Sequence, residues 1–157
     1  MMGIAQKIPV NTAVKDDVGN KNHWEMVYLQ KAFDETSWHQ PVPQMSLSMI
    51  ANTEATLETP VIDIGAGASL LADHLLDLGF RDVTALDISA AALKQAQARL
   101  GNRSKMLHWI EADVLRFDPA RRYGVWHDRA AFHFLTEAGD RQRYAGVLEK
   151  TLEPGGQ

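Results

Sequence analysis

Residues 61–69 read VIDIGAGAS, and the fold turns on this stretch. Its first four residues are almost wholly apolar, as a short strand is when both faces of its sheet are covered. Gly65 and Gly67 follow at once, and a helical pattern begins just beyond them. Glycine at a strand–helix turn lets the chain turn sharply and its backbone approach a ligand, while the helix N-terminus offers unpaired N–H groups. A plain connecting turn accounts for the same glycines, so the surroundings have to decide.

Outward from the turn, strand and helix patterns alternate. Residues 69–78 predict a helix with Leu71, Leu75 and Leu78 on one side, closed by Gly79. Residues 83–86 predict a second strand ending at Asp87. Ser89 is placed to cap an alanine-rich helix over 90–100 that stops at Gly101. Residues 106–110 and 123–126 predict the third and fourth strands, and a helix over 140–152 is stopped by Pro154. Upstream, Trp24, Val27, Tyr28 and Lys31 recur at helical spacing with Asn22 as the expected cap. Residues 34–44 (DETSWHQPVPQ) read as an ordered loop and 46–52 as a short helix. This alternation implies βαβ units and a parallel sheet, a Rossmann-like, doubly wound α/β fold. Residues 1–19 read as a disordered leader and 20–157 as one domain.

The bulk numbers narrow the function. The 157 residues are 45% hydrophobic and 23% charged, ordinary for a globular chain long enough to bury one core. A net charge of −4 opposes a polyphosphate backbone, so no nucleic-acid partner is expected. The absence of cysteine excludes disulfides and thiolate chemistry. No apolar run approaches a membrane span and no signal-peptide core is visible, so no membrane partner and a cytoplasmic location are expected. The six histidines show no convincing ligand spacing, and no metal site is expected.

Three side chains narrow the turn further. A dinucleotide site in the pattern G-x-G-x-x-G wants a third glycine where Leu70 stands. Asp63 places a carboxylate in the turn, which suits a ligand with an ammonium group and repels a pyrophosphate. Asp87, at the end of the second strand, is placed to accept hydrogen bonds from ribose hydroxyls; the alternative is a surface aspartate opening the next helix. Asp113 is placed to accept from an adenine amino group, or is a loop residue.

VIDIGAGAS, TALDIS (84–89) and EADV (111–114), in this order and spacing, resemble the successive cofactor motifs of class I S-adenosylmethionine (SAM)-dependent methyltransferases. The likeness runs over residues 24–156. It implies SAM as cofactor: Asp63, Gly65 and Gly67 at its methionine part, Asp87 at the ribose, Asp113 and Val114 at the adenine, and Ile88 packed on the adenine face. Residues 123–135 (YGVWHDRAAFHFL) resemble the W-D-R-G-A-L segment of thiopurine methyltransferase-like enzymes, with His127 inserted and Ala131 in place of their glycine. Residues 37–43 (SWHQPVP) resemble small bacterial methyltransferases of that group, in which an N-terminal segment closes over the cofactor. Trp38 and Gln40 are therefore lid candidates, with ordinary packing as the alternative for Trp38.

The resemblance implies methyl transfer to a small-molecule acceptor. Alternatives are a protein-lysine methyltransferase and a truncated, non-catalytic SAM-binding module. Asp128 and Arg129 are the catalytic candidates, Asp128 to position the cofactor or accept a proton and Arg129 to orient a polar or anionic acceptor; the alternative is a pair that stabilises a loop. His127 and His133 are candidate bases or packed residues. Residues 153–157 (EPGGQ) resemble the family's turn into a fifth strand. The sequence as it stands is expected to give sheet order 3-2-1-4 in place of 3-2-1-4-5-7-6, truncated after strand four and its helix. A bare strand-four edge is a template for pairing, so a homodimer through it is expected.

Overall fold

The computed structural model describes residues 17–157, with the side chains described from Lys21 onward. Most of the expected leader therefore lies outside the described residues, but positions 17–19 are helical: α1 spans Asp17–Gln30. Asn22 is inside that helix and is no cap. After it come α2 (Gln44–Ala51), β1 (Val61–Ile64), α3 (Leu71–Asp77), β2 (Val83–Asp87) and α4 (Ala90–Leu100). The chain continues through β3 (Leu107–Glu111) and β4 (Val125–Asp128) to α5 (Ala138–Thr151), with short 3-10 turns between elements.

All pairings are parallel, as the alternation of strands and helices predicts, and the sheet order is β3-β2-β1-β4, the order that the family resemblance implies. The period of two along each strand sorts the core into two layers. Val61, Val83 and Val125 pack with Ile50, Leu71, Leu75 and Leu100 on one side of the sheet. Ile62, Ile64 and Leu86 pack with Leu135 and Tyr144 on the other. Each fully buried Leu or Ile contributes about 1.5–3 kcal/mol relative to exposure. Ser89 caps α4 as expected, its Oγ accepting the Ala92 N–H at 3.1 Å, and Gly101 ends the helix at φ 56°.

Three strand expectations change. Tyr123 precedes β4 and forms an isolated bridge to Leu152, because the Pro60 carbonyl accepts from Gly124 and Val125 and starts the ladder there. His127 makes no bulge in the strand: Val61–Ile64 pairs residue for residue with Val125–Asp128, which puts His127 opposite Asp63. The β4 edge is not bare along its first half either. The Tyr123 N–H donates to the Thr151 carbonyl, and the Tyr123 carbonyl accepts from the Glu153 N–H. Gln157 donates to the Gly124 carbonyl and accepts from the Trp126 N–H at 2.8 Å. No helix among the described residues is long and apolar enough to cross a membrane.

Candidate functional site

The carboxyl ends of β1 and β2 form the floor of a cleft. Gly65 and Gly67 adopt φ of 63° and 56°, a region that side-chain-bearing residues rarely adopt. Space is as restrictive as torsion. A Cβ on Gly65 would stand 2.9 Å from the Ala131 Cβ, and one on Gly67 would strike the Tyr28 hydroxyl. The Gly67 N–H donates to Asp87 Oδ2 at 2.7 Å, and the Ser89 N–H donates to Oδ1 at 2.8 Å. Asp87 is thus held rigidly at the end of β2, only 7% exposed. Burial pushes its carboxyl up to about 6, aided by the nearby negative charges of Asp63 and Glu25 and opposed by the two backbone donors. The surface-aspartate alternative is excluded, although Asp87 does also bind the first residue before α4.

Asp63 lies one strand over, 5% exposed, and His127 Nδ1 meets its Oδ1 at 2.7 Å. Burial disfavours the imidazolium of His127, but the hydrogen bond and charge of Asp63 outweigh it and raise the histidine above its ordinary value. His127 is therefore a buried partner of the turn and not a solvent-facing base. Arg99 clamps the far end of the same turn: its guanidinium donates to the carbonyls of Ala68 and Ser69, each at 2.8 Å, and to both oxygens of Asp73.

The second wall comes from β3 and the turn after it. Ile88, Asp113 and Val114 line the cleft together with Leu86 and Ala112. Asp113 opens a 3-10 turn, its Oδ1 accepting the Leu115 N–H at 2.9 Å.

The roof is aromatic. Trp24 and Tyr28 of α1 meet Trp38 and Phe134 over the glycine turn, with Trp24 edge-to-face against Trp38 at 5.8 Å and against Phe134 at 4.9 Å. Trp38 Nε1–H donates to the Tyr28 hydroxyl at 3.3 Å. Arg129 ties this roof to the loop after β4, donating to Gln40 Oε1 at 2.8 Å and to the Trp38 carbonyl at 3.3 Å. Glu25 docks α1 from the other side. Its Oε2 accepts from Ser89 Oγ at 2.7 Å and from the Ala91 N–H at 3.1 Å, and those donors hold its carboxyl below the usual value.

Asp128 has a different place from the one its sequence position implies. Its Oδ1 accepts the Ala131 N–H at 2.7 Å, and its Oδ2 accepts the Phe132 N–H at 3.1 Å and the Tyr144 hydroxyl. The carboxylate caps the 3-10 turn over Ala131–Phe134 and is spent there. His133 is exposed on that turn.

Trp38, Gly65, Asp87, Ile88, Asp113, Val114 and Arg129 thus converge on one cleft of about 530 Å³, within the range of small-molecule sites. Asp63 and Gly67 stand behind its floor. Sequence reasoning missed Glu25, Tyr28, Arg99 and Phe134, whose partners are distant in the chain. Only Tyr28 carried a signal, as a member of the helical-spacing series with Trp24, Val27 and Lys31. The cleft fits an adenosine carrying an amino-acid chain. Its floor is a tight glycine turn at positive φ packed under Ala131 and Tyr28, a buried carboxylate ends β2, and apolar Ile88 and Val114 line the facing wall.

Comparison with known proteins agrees. The methyltransferase domain family matches residues 61–156. The human eEF1A lysine and N-terminal methyltransferase is 24% identical over 148 residues, covering 90% of this chain and 21% of that protein. An uncharacterized methyltransferase of Mycobacterium tuberculosis is 32% identical over 97 residues, 61% of this chain and 46% of its own length. Among solved structures, the glycopeptide N-methyltransferase MtfA complexed with sinefungin is 27% identical with a TM-score of 0.63, over 71% of this chain and 50% of that one. The chain thus spans half or less of the length of each of these proteins. Strand order, glycine turn and family match together place it: this chain belongs to the methyltransferase domain family, with the fold of its class I SAM-dependent members.

Proposed function

We propose that this protein binds SAM in the cleft and directs its methyl group to a small-molecule acceptor. The observation that carries the reading is Asp87, a buried carboxylate fixed between the N–H groups of Gly67 and Ser89 where β2 enters the cleft. SAM supplies an electrophilic methyl on a sulfonium, displaced in line with a neutral leaving group. The chain's own work is alignment, charge balance and exclusion of water.

Gly65 and Gly67 let the turn take its positive-φ path beneath Ala131 and Tyr28. Asp87 gives the floor the negative charge that a cationic ligand needs, and Asp63 stands behind the turn paired with His127. Asp113, Val114 and Ile88 form the adenine side. Trp38 and Gln40, joined through Arg129, close the roof. Arg129 stands where roof and post-β4 turn meet, and there it orients a polar acceptor. Asp128 acts by holding that turn in shape, a positioning role rather than a proton-accepting one. A thiopurine methyltransferase-like subgroup, supported by residues 123–135, and self-association along the remaining β4 edge are parts of the same proposal.

Calorimetry with SAM and S-adenosylhomocysteine, then a methyl-release assay against thiols, selenols and amines, tests the reading. Binding with release to a small acceptor is expected. Release only to a protein substrate would favour the lysine alternative, which has the names of its relatives in its favour. Binding without release would favour the non-catalytic module, and no binding would sink the proposal.

A further inference from the structure

A buried histidine beside the glycine turn has no part in the chemistry above, yet its geometry is specific. His127 is 9% exposed and Asp63 is 5% exposed, and they meet at 2.7 Å across adjacent parallel strands. The charged groups acting on the imidazole are Asp63 across the ladder, Asp128 beside it on its own strand and Arg129 just past the strand's end. Helix α2, which packs on β4, carries no charged residue. The imidazole is thus the nearest positive partner the Asp63 carboxylate has in a dry layer of the fold.

The second carboxylate of the floor makes this matter. Asp87 feels the negative charge of Asp63 as well as its own burial, and both disfavour its ionised form. Two buried carboxylates in one small site cannot both ionise cheaply without a cation. We propose that His127 is a positioning residue for the ligand cleft: it orients Asp63 beneath the glycine turn and balances its charge, and through Asp63 it favours the carboxylate form of Asp87. His127 touches no reacting atom; it acts through Asp63 on Asp87.

The inference deepens the SAM reading, but its first test does not depend on that reading. In the ligand-free protein, the Asp87 carboxyl ¹³C resonance should titrate with a midpoint near 6. In His127→Gln, which keeps a donor for Asp63 and removes the charge, the midpoint should rise by about one pH unit. In His127→Asn the rise should be similar. An unchanged Asp87 midpoint in a folded variant overturns the proposal. If neither variant folds, the His127 ring itself decides in the wild-type protein: titration at or below the ordinary histidine value of 6.5 overturns the proposal, and titration above it supports it. The second test is the pH profile of S-adenosylhomocysteine affinity by calorimetry. Its acid limb should move upward with the Asp87 midpoint, with the affinity at high pH nearly preserved, which a merely structural loss would not produce. Absent binding in the wild-type protein sinks the SAM reading and leaves the NMR result to judge His127.

Discussion

The floor and the roof of the cleft are built on different physics. The floor is buried backbone and carboxylate: Asp63, Asp87 and Ser89 are 5%, 7% and 0% exposed, and the contacts of its two carboxylates join short-range neighbours or adjacent strands. The roof is half-wet aromatic surface, with Trp38 39% exposed and Phe134 51%, held by edge-to-face rings and a few hydrogen bonds. A buried hydrogen bond loses its full desolvation cost when one partner goes, whereas an exposed one is replaced by water. Floor substitutions should therefore abolish binding, and roof substitutions should loosen it.

The largest effect is expected at Gly67. Alanine there meets a φ of 56° and drives its Cβ onto the Tyr28 hydroxyl. Left-handed backbone costs a side-chain-bearing residue roughly 1–2 kcal/mol, and Tyr28 must shift as well. S-adenosylhomocysteine affinity should fall at least about 100-fold, close to 3 kcal/mol. Gly101→Ala is the matched control. Its φ is also 56°, but an added Cβ meets nothing within 4 Å. With ψ at −126° the substitution should cost roughly 1–3 kcal/mol of stability and leave calorimetric affinity unchanged. Equal loss of binding in both variants would show that strain alone, and not close approach, governs the floor.

Acid should break the floor before it touches the roof. In the proposed reading ligand hydroxyls donate to the ionised Asp87, whose carboxyl is pushed up to about 6 by burial. As pH falls through that value the group protonates, so affinity should drop towards about tenfold per pH unit below it. The same raised value means that ionising Asp87 costs the folded state. Its contribution to stability is greatest below the unfolded value of 3.8 and declines as pH rises towards 6. A flat affinity profile between pH 5 and 8 would remove Asp87 from the binding site.

Arg129→Ala tests the roof directly. The guanidinium is exposed, so its two bonds to Gln40 and Trp38 are worth little each. Affinity should fall only about three- to tenfold, roughly 1 kcal/mol. Amide exchange over residues 36–43 should rise while β1 and β2 stay protected. A loss as deep as that of Gly67→Ala would erase the distinction between floor and roof.

The same contrast explains what was legible in the sequence. The floor is written locally: an apolar run, two glycines, and aspartates at strand ends, each constrained by its immediate neighbours. Parallel pairing followed from the alternation of elements, and strand order from the family resemblance. The roof is written in pairs far apart, Glu25 with Ser89, Arg129 with Gln40, Trp24 with Phe134, and no window of the sequence holds both members. His127 illustrates the limit well. Read beside Asp128 and Arg129 it resembles an extra residue in a loop motif. Its meaning comes from the β1–β4 register, which places it opposite Asp63. Asp128 fails for the related reason that its Oδ1 and Oδ2 find a turn and a tyrosine that come together only after folding.

Glu25→Gln should have the smallest effect and tests where roof joins floor. Glu25 brings a carboxylate to the N-terminus of α4, where the helix dipole favours negative charge. Glutamine keeps an oxygen for Ser89 Oγ and loses only the charge, so the cost should be about 0.5–1 kcal/mol. Because its hydrogen bonds lower the Glu25 carboxyl below the ordinary 4.5, the stabilisation is present above that value and is lost as pH falls through the folded one. Calorimetric melts should therefore separate wild type from Glu25→Gln at pH 7 and bring them together in acid. A gap that persists at pH 3 would mean that Glu25 docks α1 by packing, not by charge.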